Sequence, residues 1–439
     1  MHIAAAAPVI PWSDLVHSLT PNGRTLDYQI TGPTDDLSPF GVPKESFVSG
    51  LYALGAATGT YAAPGQDPQA DLTSWNGAVQ QGDPPNQQDI FITQQIAQFH
   101  SAYYLLDGAY GTPTEAPPPL LIANGFTDDL FPVDEAVRYY NYERAHYPSD
   151  PIGLIDGDFG HMRAQNKSGD KSLLSSRIQS FFDHYVKGSG SPPQLGATAL
   201  TQTCPSTAPS GGPFSASTWA GLHPGEVDYS SNPPQNISSS AGDPSVGRTF
   251  DPVAGGGACA TASATDQGSG VASYRLPRVT GSGYTLLGAP TVIATLTAQG
   301  KYPQIAARLL DVDPSNNTET LVARGLYRPT GSGTEVWQLH ANGWHFAAGH
   351  VAKLELLGAD APYARPSNGA FQVTVNSLEL RLPVRDAPGG QVQPALAPLV
   401  PAGQQSVLGE RRTTPRRHAK ARRHHHRRRH RGRRHHRRR

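Results

Sequence analysis

Two short stretches of this 439-residue chain carry the residue types that acyl transfer needs. The first is Leu121-Ile122-Ala123-Asn124-Gly125-Phe126-Thr127-Asp128-Asp129-Leu130-Phe131-Pro132. An apolar run ends in glycine, an acid follows three residues on, and proline lies four beyond it. The second, Ile155-Asp156-Gly157-Asp158-Phe159-Gly160-His161, runs from apolar residues into a glycine-bracketed loop and presents a single histidine. A carboxylate at a strand end can accept the Nδ1–H of an imidazole, fix its tautomer and stabilise the imidazolium. That imidazole then serves a serine as general base and the leaving group as general acid. Acid before histidine is one of the chain orders in which such groups occur. Asp128 and His161 are therefore the candidate catalytic residues. Asp129 is the neighbouring alternative acid, less well placed between Gly125 and Pro132, and Asp158 is read as a turn former.

These residues need a scaffold. Residues 120–123, after three prolines, read as a short buried strand; helical spacing follows over 133–146, then a second strand at 152–155. A last amphipathic helix has Leu173, Leu174, Ile178, Phe181, Phe182 and Tyr185 on one face. Strand, helix, strand, helix is the rhythm of a parallel sheet covered by helices. Upstream, the apolar run 3–10 reads as a further buried strand, and residues 31–115 as a Gly/Pro/Gln-punctuated insertion with helical patches at 47–54 and 90–106. After a linker at 189–193, short alternating segments recur at 284–287, 291–296, 305–312, 319–327, 336–339, 351–357 and 371–382. That pattern predicts an antiparallel β-sandwich or jelly roll. Asp311, Asp313, Asn316 and Asn317 read as a β-turn and not as a cation loop.

Composition agrees, with 37% apolar residues, 46 Gly and 40 Pro, which suits loop-rich β architecture. The net charge of +1 conceals two opposed regions. Residues 411–439 hold 16 Lys+Arg and no acid, so residues 1–410 hold 20 basic (36 less 16) against 35 acidic side chains. From 386 the chain reads as disordered, Pro/Gly-rich and then Arg/His-rich. Without interleaved aromatics, nucleic-acid or polyanion binding by this tail is not favoured. No apolar run reaches the length of a membrane-spanning helix, and the first residues lack the pattern of a signal peptide. Cys204 and Cys259 are either one disulfide or two unrelated thiols. No cofactor and no metal is expected.

The motifs Asn124–Pro132 and Gly157–His161, the helix ending Phe181-Phe182-Asp183-His184-Tyr185-Val186-Lys187-Gly188, and Pro11-Trp12-Ser13-Asp14-Leu15 make the chain resemble the X-prolyl dipeptidyl peptidase and cocaine-esterase-like α/β-hydrolases. Gly212-Pro213-Phe214 and Ser217-Thr218-Trp219 match where the β-rich part begins. The resemblance implies an α/β fold: the C-terminal part of an α/β-hydrolase sheet at 1–30 and 116–190, a helical cap at 31–115, and an all-β jelly-roll domain at 195–385. It also implies a serine hydrolase acting on peptide or ester bonds, with Asp128 and His161 as orienter and base. One departure matters. No G-x-S-x-G elbow occurs anywhere in the chain, Ser49 lacks the preceding glycine, and Ser269 sits in a turn. The expectation is an N-terminally truncated hydrolase, inactive alone, whose parent protein is exported. The alternative is a non-catalytic jelly-roll module binding carbohydrate or a surface. The hydrolase portion is expected to be poorly soluble by itself, and residues 195–385 to fold independently.

Overall fold

Four strands carry both chemical loops. The computed structural model describes residues 3–29, 40–67, 70–111 and 115–399, and the compact unit to which they belong is Met1–Val400. The Arg/His-rich tail lies outside the described residues. The sheet runs in the order β1 (Leu120–Gly125), β2 (Ile152–Gly157), β3 (Gly196–Thr201) and β4 (Gly211–Ala216). The helices of this part of the chain are α1 (Leu15–Leu19), α2 (Glu45–Thr58), α3 (Leu72–Gln81), α4 (Gln87–His100), α5 (Asp134–His146) and α6 (Ser168–Tyr185), of which α5 and α6 pack on the sheet.

Strands β1 and β2 are buried at every position, as strands of a parallel sheet covered on both faces must be. Alternate residues divide between the two covers. Leu120, Ile122, Ile152 and Leu154 pack with Val133, Val137 and Tyr140 at α5, whereas Leu121, Ala123 and Ile155 pack with Leu174 and Phe181 of α6. The parallel register pairs Asn124 with Asp156 and Gly125 with Gly157, so both loops leave the sheet at one level.

Two sequence expectations change here. Residues 196–216, assigned to the jelly roll, belong to this sheet: β3 pairs parallel with β2 and antiparallel with β4. The polar linker at 189–193 looked like a domain boundary, yet the chain returns through it to the β2 edge. Residues 3–10 are not a buried strand. They make isolated parallel bridges at Ala6–Leu120 and Val9–Ala123, and Ile3 and Val9 are 64% and 41% exposed. Pro8 and Pro11 cannot donate to a ladder, which limits the pairing.

The insertion is helical, as expected, with α2, α3, α4 and a 3₁₀ stretch at Ala102–Gly111. A reciprocal capping box between Asn86 and Asp89 starts α4. Beyond β4 the chain forms a sandwich of an eight-stranded and a five-stranded antiparallel sheet. Leu296, Val375 and Leu380 from one sheet meet Leu309, Val322 and Leu354 from the other in one core. Asp313 accepts bonds from Ser315 and Asn316, making the 314–317 segment the turn that was expected. Residues 386–399 are not free tail: Gln393–Pro394 pairs with Gly225 and Glu226, and Val392 is buried in the sandwich core. Cys204 and Cys259 form a disulfide, with Cα atoms 5.7 Å apart.

Asp156 lies under α5 with neither carboxyl oxygen partnered among the described residues, and burial pushes its pKa well above the carboxylate range. Its contribution to stability is therefore full below the unfolded value near 4 and is lost as pH rises through the raised folded value. Asp156→Asn should stabilise by about 1–3 kcal/mol at pH 8 and leave stability at pH 4 unchanged, as read from urea melts at the two pH values.

Candidate active site

Gly125 and Gly157 end β1 and β2 side by side, and each is followed by one chemical loop. The loops are packed too closely for side chains at their glycines. A Cβ on Gly125 would lie 1.6 Å from the Phe159 carbonyl oxygen, and one on Gly160, at φ +142°, would lie 2.6 Å from the Asp128 carboxylate. These two glycines are what let the acid loop and the histidine loop touch.

Asp128 and His161 meet there. His161 Nδ1 is 2.8 Å from Asp128 Oδ2, and the His161 backbone N–H donates to the same oxygen at 2.9 Å. The other oxygen, Oδ1, accepts the amides of Leu130 and Phe131 at 3.0 and 2.9 Å. All four contacts come from nitrogen, so the carboxylate is oriented as an acceptor throughout. The Asp128 side chain is fully buried and that of His161 is 34% exposed. The hydrogen bond to Asp128 raises the His161 pKa against the opposing effect of burial. No hydroxyl among the described residues is hydrogen-bonded to Nε2. The edge of the ring is held by Phe131, centroid to centroid 4.9 Å and nearly perpendicular, and Phe131 in turn meets Trp12 at 4.9 Å.

The other acids of the two motifs do different work. Asp129 pairs with Arg163 Nε at 2.9 Å and with Arg324 of the sandwich at 3.5 Å. Asp158 accepts the Thr127 hydroxyl at 2.6 Å and the Gln165 amide at 3.0 Å, lashing the acid loop to the histidine loop. That is more than turn formation. Arg163 sits at φ +83°, a conformation strained for a non-glycine residue, and its pairing with Asp129 holds it there.

Several positioning residues were missed in the sequence. Lys44, buried just before α2, donates to the carbonyls of Asp129 and Leu130 at 2.9 and 3.3 Å, and burial lowers its pKa to about 8. The segment leading into α2 thus grips the acid loop directly. Glu135, in the first turn of α5, accepts from Ser13 N, Asp14 N and the Ser18 hydroxyl at 3.0, 2.8 and 2.7 Å. This is the reason the Pro-Trp-Ser-Asp turn lies beside the site. His17, Asp134 and His340 form a second polar cluster, with His17 Nε2 2.6 Å from Asp134 Oδ2 and His340 Nδ1 3.1 Å from Asp134 Oδ1.

With this geometry, the fold resembles that of an aminopeptidase from a marine sediment Thaumarchaeota archaeon, at 12% identity over 86% of this chain and 72% of that chain, with a TM-score of 0.53. An alpha-amino acid ester hydrolase aligns at 13% identity over 87% and 72% of the two chains (TM-score 0.49). A CocE/NonD family hydrolase from Staphylococcus aureus aligns at 11% over 87% and 68% (TM-score 0.47). No family model and no curated protein matches the chain. The architecture, mixed α/β followed by a β-rich part, is thus shared with that aminopeptidase structure.

Proposed function

We propose that this chain supplies the acid–histidine arm of a serine hydrolase of the X-prolyl dipeptidyl peptidase and cocaine-esterase type, whose nucleophile lies outside these 439 residues. The observation that carries the reading is the Asp128–His161 pair: a fully buried carboxylate, fixed through Oδ1 by the amides of Leu130 and Phe131, takes both the backbone N–H and ring Nδ1 of His161 on Oδ2, and the ring is partly exposed. In such an enzyme Nε2 takes the serine proton as the oxygen attacks an ester or amide carbonyl. It then returns that proton to the leaving alkoxide or amine, while Asp128 remains ionised and stabilises the imidazolium.

The surroundings support a missing neighbour. Trp12, which meets Phe131, and Met162, which follows His161, are 41% and 55% exposed, and Val9 beside β1 is 41% exposed. On the α5 face, a cleft of about 200 Å³ opens between Pro8, Trp12, Ala102, Leu120, Ile122 and Tyr139. Apolar surface at a sheet edge is where further strands and helices would pack.

The 439-residue chain should hydrolyse p-nitrophenyl acetate only at the rate of its imidazoles, unchanged by a fluorophosphonate. Fluorophosphonate-sensitive turnover would mean that a nucleophile is present within the chain, and the reading would fall. Restoring a G-x-S-x-G segment upstream of Met1, in frame, is expected to produce turnover on esters or aminoacyl anilides.

A further inference from the structure

We propose that His17, Asp134 and His340 form a structural site for a divalent metal ion of the zinc class, fastening the N-terminal segment and the start of α5 to the β-sandwich. This inference is independent of the hydrolase reading.

The three residues come from three parts of the fold: α1, the first turn of α5, and the turn between sandwich strands Gly333–Gln338 and Asn342–Phe346. One ligand atom from each lies within 4.8 Å of the other two. Zinc bound at about 2.1 Å from each ligand requires donors roughly 3.3 Å apart. His340 Nδ1 is 3.1 and 3.3 Å from the two Asp134 oxygens, so those pairs already fit. The His17 contact of 2.6 Å would open by roughly 0.7 Å to admit the ion.

Two imidazoles and one carboxylate select zinc, cobalt or nickel over magnesium or calcium, which prefer all-oxygen shells. The site is enclosed: His17 and His340 are buried, and the surrounding cavity of about 10 Å³, lined also by Thr25 and Gln338, has the room of a single water for a fourth ligand. Of the nearby charges, Asp27, which accepts from Gln338, favours a cation, and Lys44 opposes one. An ion here would tie the helix that follows the acid loop directly to the sandwich.

The test uses the full chain, freed of metal by chelation and dialysed against zinc chloride, beside the His17→Gln/His340→Gln double variant. Histidines of the tail such as His424, His425 and His426 also bind zinc, equally in both proteins, so the difference is the readout. The wild type should hold one more zinc per chain, and its thermal transition should rise by about 3–5 °C at 100-fold excess over the dissociation constant. Equal stoichiometry in two folded proteins overturns the site. If the double variant does not fold, crystals of the wild type grown with zinc decide. An anomalous peak between His17 and His340 supports the proposal, and its absence in zinc-saturated crystals overturns it.

Discussion

If a serine nucleophile completes the site as proposed, Asp128→Asn should lower kcat by about 10⁴-fold and leave KM little changed. The reason lies in the four contacts around the carboxylate. Each is an N–H donor: the His161 amide, His161 Nδ1, and the amides of Leu130 and Phe131. An asparagine must turn its NH2 towards one pair or the other. Facing Leu130 and Phe131, it sets donor against donor and disrupts the acid loop. Facing His161, it requires Nδ1 to accept, which moves the ring proton to Nε2 and removes the lone pair a serine needs. His161→Ala should cost more, up to about 10⁶-fold, because it removes the base itself. Stopped assays with a chromogenic ester over a range of substrate concentrations separate the two parameters. An Asp128→Asn enzyme within tenfold of the wild type would exclude Asp128 as the orienting acid.

The second large effect concerns stability. Asp360 is buried between two arginines of the sandwich core, Arg308 and Arg324, and Arg324 Nη2 lies 2.8 Å from Asp360 Oδ2. Burial alone would raise the Asp360 pKa, but the two guanidiniums overcome it and hold the carboxyl at about 2. Arg324 also stacks on the Tyr363 ring at 3.5 Å and reaches Asp129, which pairs with Arg163 of the histidine loop. Asp360→Ala leaves two guanidiniums in the interior without their shared counter-charge. The expected loss is about 3–5 kcal/mol, visible as a lower urea midpoint with little change in slope. The folded pKa is depressed, so the Asp360 contribution is present above the unfolded value near 4 and is lost as pH falls towards 2. The wild type should therefore lose its advantage over the variant in that window. Because the chain Asp360–Arg324–Asp129–Arg163 ends beside His161, the variant should also loosen the histidine loop.

The dyad was legible because its physical requirements are local. A strand end, a glycine where two backbones cross and an acid or histidine a few residues on all lie within ten positions, and Gly125 and Gly160 prove to be the residues whose Cβ would collide. The two-layer covering of β1 and β2 was legible for the same reason, in the unbroken apolar run from Leu120 to Ala123. What holds the dyad in place was not legible. Lys44 reaches carbonyls 85 and 86 positions away, and Glu135 receives Ser13 across 122. A lone lysine or a helix-start glutamate carries no sequence mark of such a partner. Residues 196–216 were misplaced because β-rich texture is common to a sheet's last strands and a sandwich's first. The edge segment 3–10 was overread, since apolar composition alone cannot say whether neighbours exist on both sides.

The close coupling also alters an expectation about fragments. Asp27 accepts from Trp219 and Gln338, and Asp129 forms an ion pair with Arg324, so the part of the chain before residue 217 and the sandwich share buried polar contacts. Cutting between them would strand these groups in both pieces.

The account rests on Asp128 fixing His161 as a base with its lone pair directed outward. Selective ¹⁵N-histidine labelling of the full chain, with His161 among 17 histidines assigned by difference from His161→Gln, reads this directly. The expected spectrum shows His161 protonated at Nδ1 with the lone pair on Nε2, and a pKa above the ordinary 6.5 that falls back in Asp128→Asn. A ring protonated at Nε2, or one exchanging between tautomers with the same pKa in both proteins, would contradict it.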